Sequence, residues 1–302
     1  MTNTNTRLLA DIRRLAPQFA ARAPEFEAQR RIPSDVVEIF RSIGIFRMFV
    51  PRSLDGMELD LPPALEVISA LARIDGSLGW AAMVGGTPTL ATPLLPRETY
   101  DLLYRNGPNV TFAGTAQPSG TAERAPGGWR VTGRWSFAGS CEYADWMFAV
   151  CIMTEDGKRL PGPAGAEGPP LIRGFTQPAR DWQIEDTWYV AGLKAAGSHH
   201  IALRDVFVPD ANLLDIFAGV PCQPGPLYQA LFPVIPLMHH AVHVGIAEGA
   251  LNDLVAMARA GRQQLRAAVS MQESEIFQYE LGRIAADVRA ARAALQAQAA
   301  SH

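Results

Sequence analysis

The residues of this chain that could do chemistry are its six histidines, its three cysteines and one run of small and hydroxylated residues. His199 and His200 are adjacent, directly behind Gly197-Ser198 in the stretch GLKAAGSHHIALRDVFVP. Alternation along a strand sends neighbouring rings to opposite faces, so the pair cannot chelate one ion, although one ring can face a ligand. His239 and His243 are four residues apart with His240 beside them, a spacing at which two imidazoles could bind a metal from one helix face. No third ligand is apparent, since Glu248 falls mostly off that face, and packing is the preferred reading. A second candidate is the block FAGTAQPSGTAERAPGGWRVTGRWSFAGSCEYADW. Its small residues would let a planar ligand approach the backbone, its hydroxyls could satisfy polar edge atoms, and a Trp offers a stacking face. The same composition also suits an ordinary β core holding Trp135 and Trp146. No GxGxxG follows a predicted strand, and neither GxxxxGK[ST] nor a GxSxG elbow occurs, which argues against a Rossmann site, a P-loop and that hydrolase signature.

The elements that must position these residues follow from periodicity. Leu8, Ile12, Leu15 and Phe19 recur at helical spacing and give one apolar stripe. IPSDVVEIFRSIGIF reads as a helix with Ser34 as N-cap and Gly44 closing it. VPRSLDGMELDLPP is a loop; ALEVISALARIDGSLGWAAMV gives two helices broken near Gly76, and PRETYDLLYRN a short one. From Val110 to about Leu214 the segments VTFAG, GWRVTGRWSFAGS, DWMFAVCIM, PLIRGFT and HHIALRDVFVP are rich in Val, Ile, Phe, Trp and Thr and predict strands. Gly127-Gly128 marks a hairpin turn, and EDGKRLPGPAGAEGPP a flexible surface loop. From Leu227 the chain is helical again, first through YQALFPVIPLMHHAVHVGIAEGALNDLVAMARAGRQQL and then through SEIFQYELGRIAADVRAARAALQAQA. Helices, then strands, then helices make an α+β chain and not a doubly wound sheet. The expected domains are helical 1–109, β 110–214 and a helical bundle 215–302. Two long helices cannot bury all their apolar faces on each other, so further helices or further copies are expected, and the run to the last residue reads as a missing tail.

With 302 residues, 48% hydrophobic and 19% charged, the chain suits a globular protein with a sizeable core. A net charge of -3 and no basic stripe point away from nucleic acid. No apolar run is long enough for a membrane span, and the N-terminus lacks the apolar core of a secretory signal. Cys141, Cys151 and Cys222 show no CxxC spacing, which argues for a reducing compartment and against a zinc ribbon. The expected location is the cytoplasm.

GGWRVTGRWSFAGSCEYADW followed by TWYVAGLKAAGSHHIALRDVFVP resembles the acyl-CoA dehydrogenase superfamily. SIGIFRMFVPRSLDGMELDLPPALEVISALARIDGSLGWAA is similar to its N-terminal helical domain, and GIAEGALNDLVAMARAGRQQL to the first long helix of its C-terminal bundle. The resemblance covers nearly the whole chain in order. It implies a helical domain, a middle β-barrel-like domain and a tetramerising bundle, apparently incomplete here, with FAD or FMN at the junction of the last two. Dehydrogenases of the superfamily carry Thr-Glu-Pro where this chain reads GTAQPSG; one subgroup places a catalytic Glu near the position of Ile235, where none stands, and the more common position lies beyond residue 302. AQPSGTAERAPGGWRVTGRWSFAG and TWYVAGLKAAGSHH look more like the two-component flavin monooxygenases. These take reduced flavin from a separate flavin reductase and form a C4a-(hydro)peroxide with O₂.

That resemblance implies an isoalloxazine near Thr115, Gln117, Trp135, Phe137, Gly139 and Ser140, with Ser140 the candidate catalytic hydroxyl. It also implies that Arg262 contacts the flavin pyrophosphate of a neighbouring subunit, a double anion that suits a guanidinium. No metal is expected. The expected function is a monooxygenase acting with reduced FAD or FMN on a hydrophobic or aromatic small molecule, as a homotetramer. The alternatives are an acyl-CoA dehydrogenase and an incomplete, non-catalytic member. The chain departs from the family pattern in three ways. Gly139-Ser140 reverses the usual Ser-Gly, and Asp55 stands where Gly is usual. A histidine that many members carry around AAMVGGTPTLA is absent, and no His precedes His199.

Overall fold

The computed structural model describes residues 2–229, 231–263 and 265–301. Its helices are α1 (Thr2–Ala21), α2 (Ala23–Gln29), α3 (Ser34–Ile43), α4 (Leu61–Ile74), α5 (Gly76–Gly86), α6 (Arg97–Tyr104), α7 (Pro226–Gln229), α8 (Leu231–Arg259) and α9 (Glu275–Ala300). Its strands are β1 (Phe112–Ala125), β2 (Gly128–Ala138), β3 (Trp146–Glu155), β4 (Lys158–Arg159), β5 (Pro161–Gly162), β6 (Gly165–Pro170), β7 (Ile172–Pro178), β8 (Gln183–Glu185), β9 (His199–Pro209) and β10 (Leu213–Leu214). The order of helices, strands and helices is the expected α+β arrangement. Three local expectations change. Pro33 takes the N-cap position of α3, its backbone pre-set by the ring, and Ser34 is the first helical residue. The loop around residue 160 carries the short strands β4, β5 and β6. The first long C-terminal helix stops at Arg259, where Gly261 turns the backbone left-handed (φ 72°).

The chain forms two compact units, each built from separated stretches. One comprises Met1–Ala23, Leu61–Trp80 and Phe232–His302, and the other Pro24–Asp60 and Ala81–Leu231. The helices expected as one N-terminal domain are therefore shared between the units. In the first unit, α4 packs on α1 and on α9. The stripe Leu8, Ile12, Leu15 and Phe19 of α1 is buried, as are Leu61, Leu65, Ile68 and Leu71 of α4. Ser69 Oγ, on α4, donates to the Ala241 carbonyl of α8 at 2.9 Å.

The second unit is built on a sheet in the order β10-β7-β3-β1-β2-β9-β8, with β4 paired to β3. β1 and β2 form the hairpin, β1 and β3 run parallel, and β2 and β9 are antiparallel with Trp135 opposite Ile201. The core is Trp135, Phe175, Trp182, Met147 and Ile201 with their neighbours. Trp135 is admitted by two facing glycines. A Cβ on Gly120 would lie 2.2 Å from its indole and one on Gly133 2.6 Å, so neither position tolerates a side chain without moving the ring. The Trp135 indole N–H donates to the Val150 carbonyl at 2.9 Å, which satisfies the one polar atom that burial would otherwise leave unpaired.

Candidate functional site

Phe137, Gly139 and Ser140 lie at one end of the second unit's sheet, where β1 enters and β2 leaves. An isolated bridge pairs Gly114 with Gly139 across the gap. Phe137 and Ser140 both have φ of 66°, and Leu193 in the facing loop has φ of 53°. Non-glycine residues in the left-handed region cost of order 1–2 kcal/mol each, and such positions cluster at functional sites. The strain turns the Phe137 ring outward, leaving it 65% exposed. Trp188 and His200 meet that ring edge-on, with centroids 6.2 Å and 6.0 Å away. The result is an aromatic corner beside the bridged glycines Gly114 and Gly139.

Of the predicted residues, Phe137 and Gly139 flank this corner. Thr115 is half-buried and Gln117 exposed on β1, the Gln117 N–H lying 3.4 Å from Thr115 Oγ1. Two predicted residues stand elsewhere than expected. Trp135 is fully buried in edge-on contact with Trp182 (5.4 Å) and Phe175 (5.9 Å). Regular alternation would put Trp135 and Phe137 on one face; the register irregularity between Trp135 and Ala138 and the left-handed backbone of Phe137 break it, so Phe137 is exposed where Trp135 is buried. Ser140 is 1% exposed, and its Oγ accepts the Tyr143 O–H at 2.6 Å. The hydroxyl expected to meet substrate is engaged inward. Burial raises the Tyr143 pKa well above its ordinary value, so this O–H remains a donor. Arg262 lies beyond α8 in the first unit, its guanidinium exposed and 3.0 Å from Met257 Sδ.

The loop over the corner is fixed by residues that the sequence did not single out. His199 Nδ1 accepts the backbone N–H groups of Thr187 (3.2 Å) and Trp188 (3.3 Å). A nitrogen that accepts twice is unprotonated, so the neutral ring carries its proton on Nε2, which points to Glu142 3.9 Å away. His199 is the inward ring of the pair and His200 the outward one. The His200 N–H donates to Thr187 Oγ1 at 2.9 Å. Its buried Nδ1 has no hydrogen-bond partner. Burial lowers the His200 pKa, Arg134 lowers it further, and Glu185 opposes; the ring is neutral at neutral pH.

Arg30 reaches this loop from behind α2. It makes two 2.8 Å hydrogen bonds to the Asp186 carboxylate and one of 3.0 Å to the Trp188 carbonyl. It also lies 3.9 Å over the Tyr189 ring. The Arg30 hydrogen bond, helped by the Tyr189 hydroxyl, holds the Asp186 carboxyl at about 2. Arg41 of α3 fixes the other side, binding Asp145 (3.1 Å) and the carbonyls of Asn109 (2.7 Å) and Tyr143 (3.3 Å). Arg30 and Arg41 gave no sequence signal because their partners are 156 and 104 residues away. Trp188 lies within the stretch TWYVAGLKAAGSHH that carried the resemblance. No group of three or more His, Cys, Asp or Glu that could hold a metal occurs among the described residues.

Residues 237–302 match the model of the acyl-CoA dehydrogenase C-terminal domain. The chain is 32% identical over 276 residues to an indole-3-acetate monooxygenase of Pseudomonas putida, covering 90% of this chain and 67% of that protein. It is 30% identical to the oxygenase component of an FADH₂-dependent resorcinol hydroxylase of a Rhizobium species, covering 96% and 72%. Its fold superposes on XiaF from a Streptomyces species, in complex with FADH₂ and glycerol, with a TM-score of 0.84 at 26% identity over 98% of this chain and 76% of that one. The chain belongs to the flavin-dependent monooxygenases of the acyl-CoA dehydrogenase superfamily.

Proposed function

We propose that this chain is the oxygenase of a two-component system, taking reduced FAD or FMN from a flavin reductase and using O₂ to hydroxylate a hydrophobic or aromatic small molecule. The observation that carries the reading is the Phe137 ring, held outward on a strained backbone and framed by Trp188 and His200. An exposed aromatic face beside small residues suits a flat, largely apolar ring system. The residues present fit a flavin in this sense. Phe137 offers a face, while Thr115 and Gln117 on the adjacent strand offer polar groups for the ring edge. The Gly139-Ser140 turn, anchored by Tyr143, lets the backbone come close. A bound reduced flavin supplies the electrons that activate O₂. The part of Phe137, Trp188 and the neutral His200 is to keep water from that reaction, because an activated oxygen species survives only where water is excluded.

One subgroup of acyl-CoA dehydrogenases places its carboxylate base on the first long bundle helix, and α8 carries, beside Asp253, a single Glu. That residue, Glu248, is bound on both sides by Arg73 and Arg292, which depress its pKa against the opposing effect of burial. A carboxylate held this way is a weak base, which favours the oxygenase reading. Arg262 is assigned to the flavin pyrophosphate of a neighbouring copy, within a homotetramer. Exposed Ile276 and Tyr279 on α9 and exposed Leu265 support such assembly, since further copies would cover them. Free Cys141, Cys151 and Cys222 support a cytoplasmic location. The test is turnover with a flavin reductase, NADH, isotope-labelled O₂ and a panel of phenols and indoles. Label in a hydroxylated product is expected, and flavin-driven oxygen consumption without labelled product counts against the proposal.

A further inference from the structure

The loop 186–198 carries Trp188 to the Phe137 corner, and hydrogen bonds hold both its backbone and its ring. The Trp188 backbone N–H donates to His199 Nδ1 (3.3 Å), its carbonyl accepts from Arg30 (3.0 Å), and its indole N–H donates to the Leu193 carbonyl (3.0 Å). All of these residues lie in the second unit. A guanidinium always donates and a carbonyl always accepts. His199 is different, because an imidazole nitrogen accepts only while it is bare and donates once protonated. Nδ1 also takes the Thr187 N–H (3.2 Å), so a proton placed there would face two N–H groups at once.

The surroundings of the ring offer that proton another acceptor. Nδ1 lies 3.4 Å from Asp186 Oδ1. His199 is 5% exposed, and the charged groups facing it are Asp186 and Glu142, the latter 3.9 Å from Nε2. Each carboxylate is paired with an arginine, Asp186 with Arg30 at 2.8 Å and Glu142 with Arg31 at 3.5 Å. The Tyr189 hydroxyl donates to Asp186 at 2.7 Å. Burial pushes the Cys141 thiol up to about 12, so it stays neutral, 3.6 Å from the Gly197 carbonyl. His200 follows on β9 with its ring on the opposite face.

We propose that neutral His199 is the positioning residue that sets Trp188 against Phe137, and that one proton on Nδ1 releases Trp188, which makes ligand binding at the corner proton-linked. In the step, Nδ1 takes a proton from solvent. The hydrogen bonds from the Thr187 and Trp188 N–H groups break, and the new Nδ1–H donates to Asp186 Oδ1. Nothing is oxidised or reduced. Arg30 keeps its hold on Asp186 and on the Trp188 carbonyl, so the loop shifts at residues 187–188 without opening. Acid favours the released state, and a flat ligand that needs Trp188 in place binds more weakly as pH falls through the titration of His199. The ligand-binding part rests on the oxygenase reading, whereas the latch does not.

The latch is tested on flavin-free protein carrying ¹⁵N, titrated from about pH 8 to about pH 5, the span in which imidazoles change charge. Long-range ¹H–¹⁵N correlation should show His199 protonated on Nε2 alone at the upper end and on both nitrogens at the lower. The Thr187 and Trp188 amide signals should shift with the same midpoint. His199→Asn places an amide oxygen near the position of Nδ1, where it accepts at every pH, so its two amide signals should stay fixed. In His199→Ala they should be displaced throughout. Reduced flavin is then titrated anaerobically into wild type and His199→Asn. The ratio of the two Kd values cancels the ionisation of the flavin and of His200. It should rise roughly tenfold per pH unit below the His199 midpoint. A His199 that carries its proton on Nδ1 at neutral pH or takes no second proton, amides that ignore its titration, or a His199→Asn chain that shifts as wild type does would overturn the latch. A Kd ratio flat in pH would overturn the coupling. Failure of both chains to bind flavin counts against the oxygenase reading instead, and the flavin-free titration still decides the latch.

Discussion

The Phe137 ring is held outward by a backbone conformation that a bulky L residue adopts at a cost. Phe137→Gly is therefore expected to raise stability by about 0.5–1 kcal/mol, after the greater freedom of glycine in the unfolded chain is subtracted. The same change should weaken reduced-flavin binding roughly tenfold, about 1.4 kcal/mol, through loss of the aromatic face. Urea denaturation and anaerobic titration read the two effects separately, and effects of the same sign would contradict the assignment. Asp186 supplies the acid-sensitive member of the site. Its carboxyl is lowered from 3.8 to about 2, chiefly by Arg30. A depressed pKa means that the ionised form stabilises the native loop. That contribution is full above 3.8 and is lost as pH falls towards 2. Amide exchange across residues 186–198 should rise over this interval in the native chain. In Asp186→Asn it should already be fast at neutral pH, with no further step on acidification. Much at this scale was hidden in the sequence. Alternation could place the two histidines on opposite faces, but not say that His199 would accept two backbone N–H groups. Nor could it show that Ser140 would be tied to Tyr143, which depends on a left-handed turn.

Among the elements, α8 is secured to α4 and α9 by charge and by close approach. Glu248 is hydrogen-bonded by Arg292 and lies 2.5 Å from Arg73, at 18% side-chain exposure. Removing a largely buried carboxylate leaves two guanidinium groups facing each other, so Glu248→Ala is expected to cost about 1–3 kcal/mol, discounted for the partial exposure of Arg73. A Cβ on Gly245 would lie 2.4 Å from the Ser69 carbonyl oxygen and 2.6 Å from the Ala72 Cβ. Gly245→Ala should therefore push α8 from α4 at a cost of about 1–3 kcal/mol. Thermal unfolding checks both, and a neutral result for Gly245→Ala would contradict the described approach of the helices. The elements themselves were largely legible. Period-two runs bounded by Gly and Pro marked the strands, and the α1 stripe was readable from four residues. What periodicity could not show was that α1 and α4 would join the C-terminal helices, while α2, α3 and α6 would join the strands. That partition depends on contacts remote in sequence, as do the links from Arg30 and Arg41 to the site.

For the molecule as a whole, order of elements and family resemblance pointed to the same architecture, and relatives covering most of the chain share it. The central claim is that this chain holds reduced flavin and directs its reaction with O₂. Anaerobic titration with reduced FAD and reduced FMN, followed by rapid mixing with O₂, tests it most directly. The account predicts saturable binding of at least one of the two, weakened by Phe137→Gly, and oxidation of the bound flavin on a course distinct from that in free solution. No binding of either flavin, or oxidation indistinguishable from the protein-free reaction, would contradict it.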